Sequence, residues 1–138
     1  MTWRAGGDIR DVVQWRKVDQ LGVALEELAQ ELDQRRDREW LGYLVREVAK
    51  LLPNVLEEGW DQDYLAEFIL GIYDALTYLT MLQYYLVFMD HQGYVDPEKA
   101  RDIGRLAREV QHDVSLLLGR MRSELNLIQS DMDPRRLN

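Results

Sequence analysis

The stretch from Asp63 to Asp90 constrains this chain most. Between Tyr64 and Met89 its only charged residues are Glu67 and Asp74. Leu65, Ile69, Ile72, Leu76, Leu79, Leu82 and Leu86 recur at three-four spacing, which marks one buried helical face. Phe68, Tyr73, Tyr78, Tyr84, Tyr85, Val87 and Phe88 fall beyond that face. A helix that is apolar nearly all round needs cover nearly all round. At ~1.5 Å per residue it is about 40 Å long. A bundle of four helices covers one side of such a helix and leaves the other bare. A partner subunit or a membrane has to cover the rest.

The partner is the expectation. A membrane span wants ~20 residues without uncompensated charge, and Glu67, Asp74 and Gln83 all fall inside this one. No Lys or Arg occurs between Leu51 and Glu98, so no basic cluster flanks the stretch. The formal net charge of −8 opposes contact with nucleic acid or anionic lipid through the whole surface. A local basic patch stays open. There is no cysteine, which excludes disulfide and thiolate chemistry. The start, Met1 to Gly7, has no apolar run, so a cytoplasmic protein is expected.

The 138 residues suffice for one compact domain. A first helix is expected from Asp8, with Asp8 as its N-cap and a stripe of Val18, Leu21, Leu25, Leu28 and Leu32. A polar turn follows at Asp33 to Asp37. A second helix is expected from Arg38 to Glu58, with Leu41, Leu44, Val48, Leu51 or Leu52, and Val55 on its apolar side. Pro53 should kink or break it, and Gly59 should end it in the left-handed conformation. Asp61 or Asp63 is then available to cap the central helix. Gly93 should stop that helix near Gln92. Asp96-Pro97-Glu98 is a helix-start signal. The fourth helix carries Ile103, Leu106, Val110, Val114, Leu117, Met121, Leu125 and Ile128 on one side, and ends no later than Asp133-Pro134. The fold class expected is all-α: an antiparallel up-down four-helix bundle over residues 8–130, self-associating, between tails at 1–7 and 131–138.

Several short motifs occur in order. The first helix carries Trp15-Arg16-Lys17-Val18-Asp19-Gln20-Leu21, and the second carries Val45 to Pro53 followed by Glu58-Gly59. The third opens Glu67-Phe68-Ile69 and closes Gln92-Gly93-Tyr94-Val95. In these motifs, from about Asp8 to Leu127, the chain resembles the bacterial four-helix-bundle proteins first noticed as products of intervening sequences in 23S ribosomal RNA genes. The resemblance implies a bundle without catalysis, commonly a homopentameric ring. The same superfamily includes the accessory variability determinant of diversity-generating retroelements, a basic pentamer that binds a reverse transcriptase and nucleic acid. The chain departs from the family at Trp60-Asp61-Gln62-Asp63, where a small-polar and basic run is usual. It departs again at Glu47, Met81 and Gln83. These changes remove charge from a surface that could meet RNA.

Two kinds of metal chemistry compete with plain solvated faces. Glu26, Glu27 and Glu31, facing Glu67 and Asp74, suggest the alternative reading, an all-α magnesium-dependent nucleotide pyrophosphohydrolase. That motif is incomplete, with Gln30 and Gly71 at two required positions. Glu109-x-x-His112 is half of a di-iron pattern and occurs once. Arg101, Arg105, Arg108 and His112 share one side of the fourth helix. With Arg120 and Arg122 they are candidates for gripping phosphates or an acidic partner. The turn at Arg35, Arg36 and Arg38 is a weaker candidate. No catalytic, cofactor or metal residue is expected. The expected oligomer interface is Tyr73, Tyr84, Tyr85, Val87 and Phe88. The expected function is a non-enzymatic homo-oligomeric scaffold or interaction protein, with a reverse transcriptase or ribosomal RNA as the partner the resemblance points to.

Overall fold

The computed structural model describes residues 8–61 and 64–132. The expected tail at 1–7, the cap at Asp63 and residues 133–138 of the expected C-terminal tail lie outside the described residues. All regular structure among the described residues is helical. The helices are α1 (Ile9–Val12), α2 (Trp15–Asp33), α3 (Glu39–Trp60), α4 (Leu65–His91) and α5 (Pro97–Asp131), with a single 3-10 turn at Arg36–Arg38 between α2 and α3.

The expected first helix is divided. The Asp8 side chain caps α1 as anticipated, accepting from the Arg10 N–H at 3.0 Å. Val13 then adopts extended backbone, φ −104° and ψ 142°. The break turns both Ile9 and Val13 into the core, where they are buried. Trp15 opens α2 and is buried with them.

Pro53 does not break α3, which runs unbroken to Trp60. Gly59 is no terminator either: it is helical and buried. Its lack of a side chain serves packing, since a Cβ there would lie 2.7 Å from Phe68 Cδ1. Asp61 caps the C-terminal end of α3, and the N-cap of α4 is Tyr64, which makes no side-chain capping bond. Gly93 ends α4 as expected and is the one described residue with positive φ, at +69°. Tyr94 N–H donates to Met89 O at 2.8 Å and Gly93 N–H to Asp90 O at 3.1 Å, the paired bonds of a left-handed C-terminal cap. Asp96 accepts from the Glu98 N–H at 3.3 Å and Pro97 fills the first turn of α5. That helix reaches Asp131, one residue into the expected tail.

Helix α2 packs on α3, α3 on α4, α4 on α5, and α5 back on α2. One apolar core runs between them. From α3 it takes Leu41, Val45, Val48, Leu52 and Leu56, while Leu44 and Val55 are half-buried. From α4 it takes the expected stripe with two corrections. Phe68, assigned by spacing to the outer side, is fully buried against Gly59 and edge-on to Trp60. Leu76, assigned to the core, packs against it but is only half-buried, and Ala75 takes the innermost position. In a helix this uniformly apolar, spacing alone does not settle which side faces inward.

Candidate functional site

Helix α4 buries one side against α3 and α5 and leaves the opposite side uncovered. Leu70 is 64% exposed, Tyr73 44%, Tyr84 71% and Val87 60%. Met81 and Phe88 flank them and are also exposed. Thr77 and Thr80 complete the strip, and their hydroxyls are already satisfied. Thr77 Oγ1 donates to Tyr73 O and Thr80 Oγ1 to Leu76 O, each at 3.0 Å. What these side chains present beyond that bond is a methyl group. The strip therefore carries no charge and no unmet hydrogen bond along its middle.

Its C-terminal end is widened by aromatic contacts. Trp40 of α3, itself exposed, packs on Phe88 with ring centroids 5.9 Å apart. Phe88 meets Tyr94 edge-on at 6.2 Å, and the Arg38 guanidinium lies 4.1 Å from the centre of the Tyr94 ring. A stacked guanidinium of this kind is held by the ring's negative face. The 3-10 turn is thereby fixed beside the end of α4.

Of the expected interface residues, Tyr73, Tyr84, Val87 and Phe88 are exposed. Tyr85 is half-buried and packs against the core, which removes it from the strip. Leu70, Thr77, Thr80 and Trp40 belong to the strip although sequence reasoning left them out. A signal for the first three was present: Leu70, Tyr73, Thr77, Thr80, Tyr84 and Val87 form a second three-four series, offset from the core series.

The arginine stripe of α5 is exposed at Arg101, Arg105, Arg108, His112 and Arg122. Arg105 pairs with Asp102 at 2.9 Å and Arg120 with Glu124 at 3.8 Å. Arg101 and Arg108 line an open cleft of about 220 Å³ with Gln83, Val87 and Asp90 of α4. The stripe and the apolar strip thus border one another at Val87.

The acidic residues do not converge. Glu26 pairs with Arg46 of α3 at 3.2 Å, Glu31 with Lys99 of α5, and Glu109 with Lys17 of α2 at 3.7 Å. Asp33 also pairs with Arg46. The hydrogen bonds that the Arg46 guanidinium donates to Asp33 first, then to Glu26, hold its pKa above the ordinary value. Glu67 and Asp74 lie exposed on α4. Among the described residues no group of three or more His, Asp or Glu is gathered in a way that could hold a metal. By length and composition α4 is one helix that could cross a membrane, and its inner side is buried inside the protein.

No family model matches the chain, and neither the curated proteins nor the solved structures give a match.

Proposed function

We propose that this chain is a non-enzymatic interaction protein that assembles with copies of itself in the cytoplasm through the outer side of α4. The observation that carries the reading is the uncovered strip from Leu70 to Phe88. Contiguous apolar surface beyond a few hundred Å² marks a contact site on a soluble protein. Its burial is worth ~25 cal/mol per Å². Short connections between α2, α3, α4 and α5, and their closed cycle of packing, support an antiparallel up-down four-helix bundle as the unit that assembles.

The arginines of α5 give the assembly a second surface, suited to phosphates or an acidic protein. The resemblance to the ribosomal RNA intervening-sequence family makes RNA or a reverse transcriptase the class of partner to try there. The same resemblance implies five copies, whereas the strip on α4 taken by itself suits a pair. The magnesium-dependent hydrolase is the less favoured reading, because Glu26 and Glu31 are engaged with cations on neighbouring helices.

Calorimetric titration with magnesium and manganese, together with a hydrolysis assay on nucleoside triphosphates, separates the two readings. The interaction protein should give neither saturable heat nor turnover, and should sediment as more than one chain. Saturable metal binding with hydrolysis would overturn the proposal.

A further inference from the structure

The exposed series on α4 has a symmetry that bears on what covers it. Leu70, Tyr73, Thr77, Thr80, Tyr84 and Val87 alternate steps of three and four residues without a fault. That is the ~3.5-residue repeat of a helix seam that meets another helix along its length. All six are exposed. Read by residue type the seam runs aliphatic, Tyr, Thr, Thr, Tyr, aliphatic, and it reads the same in reverse. Its centre lies between Thr77 and Thr80.

We infer that α4 packs against α4 of a second copy, antiparallel, about a twofold axis between Thr77 and Thr80. This rests on the self-association proposed above and specifies its geometry. Turned end for end, the seam sets Leu70 opposite Val87 of the other copy, Tyr73 opposite Tyr84, and Thr77 opposite Thr80. Large residues pack at both ends. The small threonines at the centre, their hydroxyls bonded within their own helix, let the two axes approach closely. The seam drifts around a straight helix by about 20° per heptad, which a crossing near ~20° absorbs.

Charge selects the antiparallel sense. Glu67 and Asp74 lie in the N-terminal half of α4, both exposed. The turn Arg36–Arg38 lies at its C-terminal end, anchored by Arg38 on Tyr94 and by Trp40 on Phe88, and carries Asp37 between its two arginines, 3.9 Å from Arg38. An antiparallel pair sets Glu67 and Asp74 of the two copies at opposite ends of the seam. It also sets each α4 N-terminus beside the other's C-terminus, the favourable arrangement of helix dipoles. A parallel pair would instead gather Glu67 and Asp74 of both copies at one end. Leu70, Tyr73, Met81, Tyr84, Val87, Phe88 and Trp40 together offer on the order of 700 Å² per copy, close to the ~800 Å² per partner of a standard interface.

The absence of cysteine lets single introduced thiols report the pairing. Leu70→Cys and Val87→Cys chains are prepared separately, one carrying a mass tag, then mixed and treated with a short bismaleimide. The twofold pairing predicts a covalent heterodimer in the mixture. It predicts almost none from either variant alone, because like positions then stand about 26 Å apart. Thr80→Glu, an exposed substitution, should leave the helical content intact and reduce the mass to one chain. Covalent homodimers from each single variant would mean a parallel pair and overturn the inference. An assembled wild type without the mixed crosslink, including a ring of five built from head-to-tail contacts, would overturn the twofold pairing and leave self-association standing. A monomeric wild type would overturn both.

Discussion

Gly59 lies directly beneath the ring of Phe68, so that a methyl group on it would stand 2.7 Å from Cδ1 and 3.3 Å from Cε1. This close approach lets α3 and α4 meet at the end where Trp60 closes over the same ring, at 5.5 Å between centroids. Gly59→Ala should therefore destabilise the protein, although alanine is the better helix former by about 1 kcal/mol. Overpacking a filled core costs ~1–3 kcal/mol, and the Phe68 ring is fully buried with no solvent to move into. Urea unfolding would show a lower midpoint. A midpoint raised by the substitution would mean that the ring gives way freely.

Truncations along α4 should separate core from seam. Leu79 is fully buried, and Leu79→Ala should cost ~2–5 kcal/mol. Leu76→Ala should cost clearly less, since Leu76 is only half-buried. Tyr84→Ala should scarcely alter the unfolding of the isolated chain but should weaken assembly. Thermal melts at two protein concentrations check this ordering: the Tyr84 variant should lose the concentration dependence. Equal losses at Leu79 and Leu76 would contradict the assignment of the inner side.

How much of the fold and of the strip is legible in the sequence depends on how local the controlling chemistry is. The end of α4 at Gly93 and the start of α5 at Asp96-Pro97 follow from backbone conformations that few other residues supply, and both are readable. The stripe of α5 is readable because its other side is charged. Helix α4 offers no such contrast, and spacing accordingly puts Phe68 on the wrong side and places Leu76, half-buried against the core, deeper than it lies. Gly59 carries a residue type that serves both termination and close approach, and only the position of Phe68 decides between them. Thr77 and Thr80 look polar in sequence. Their membership of an apolar strip depends on the hydroxyl bonds to the carbonyls of Tyr73 and Leu76, which form only in the folded helix.

If nucleic acid binds, the arginines of α5 should hold its phosphates. Reversing the charge of Arg101, Arg105 and Arg108 together should weaken binding and flatten its salt dependence by about one unit of slope for each phosphate no longer neutralised. Arg105 is expected to matter least of the three, because Asp102 already engages it at 2.9 Å. Fluorescence anisotropy with a labelled RNA over a salt series is the measurement. Unchanged affinity and slope would remove the stripe from consideration.

In the proposed pairing the outer side of α4 is covered by another copy of the chain. Light scattering in line with size-exclusion chromatography, at micromolar concentration, measures this directly. The twofold pairing predicts a mass of about twice the 16.3 kDa of one chain, falling to one chain for Thr80→Glu. A wild-type mass of one chain at every concentration tested would contradict it.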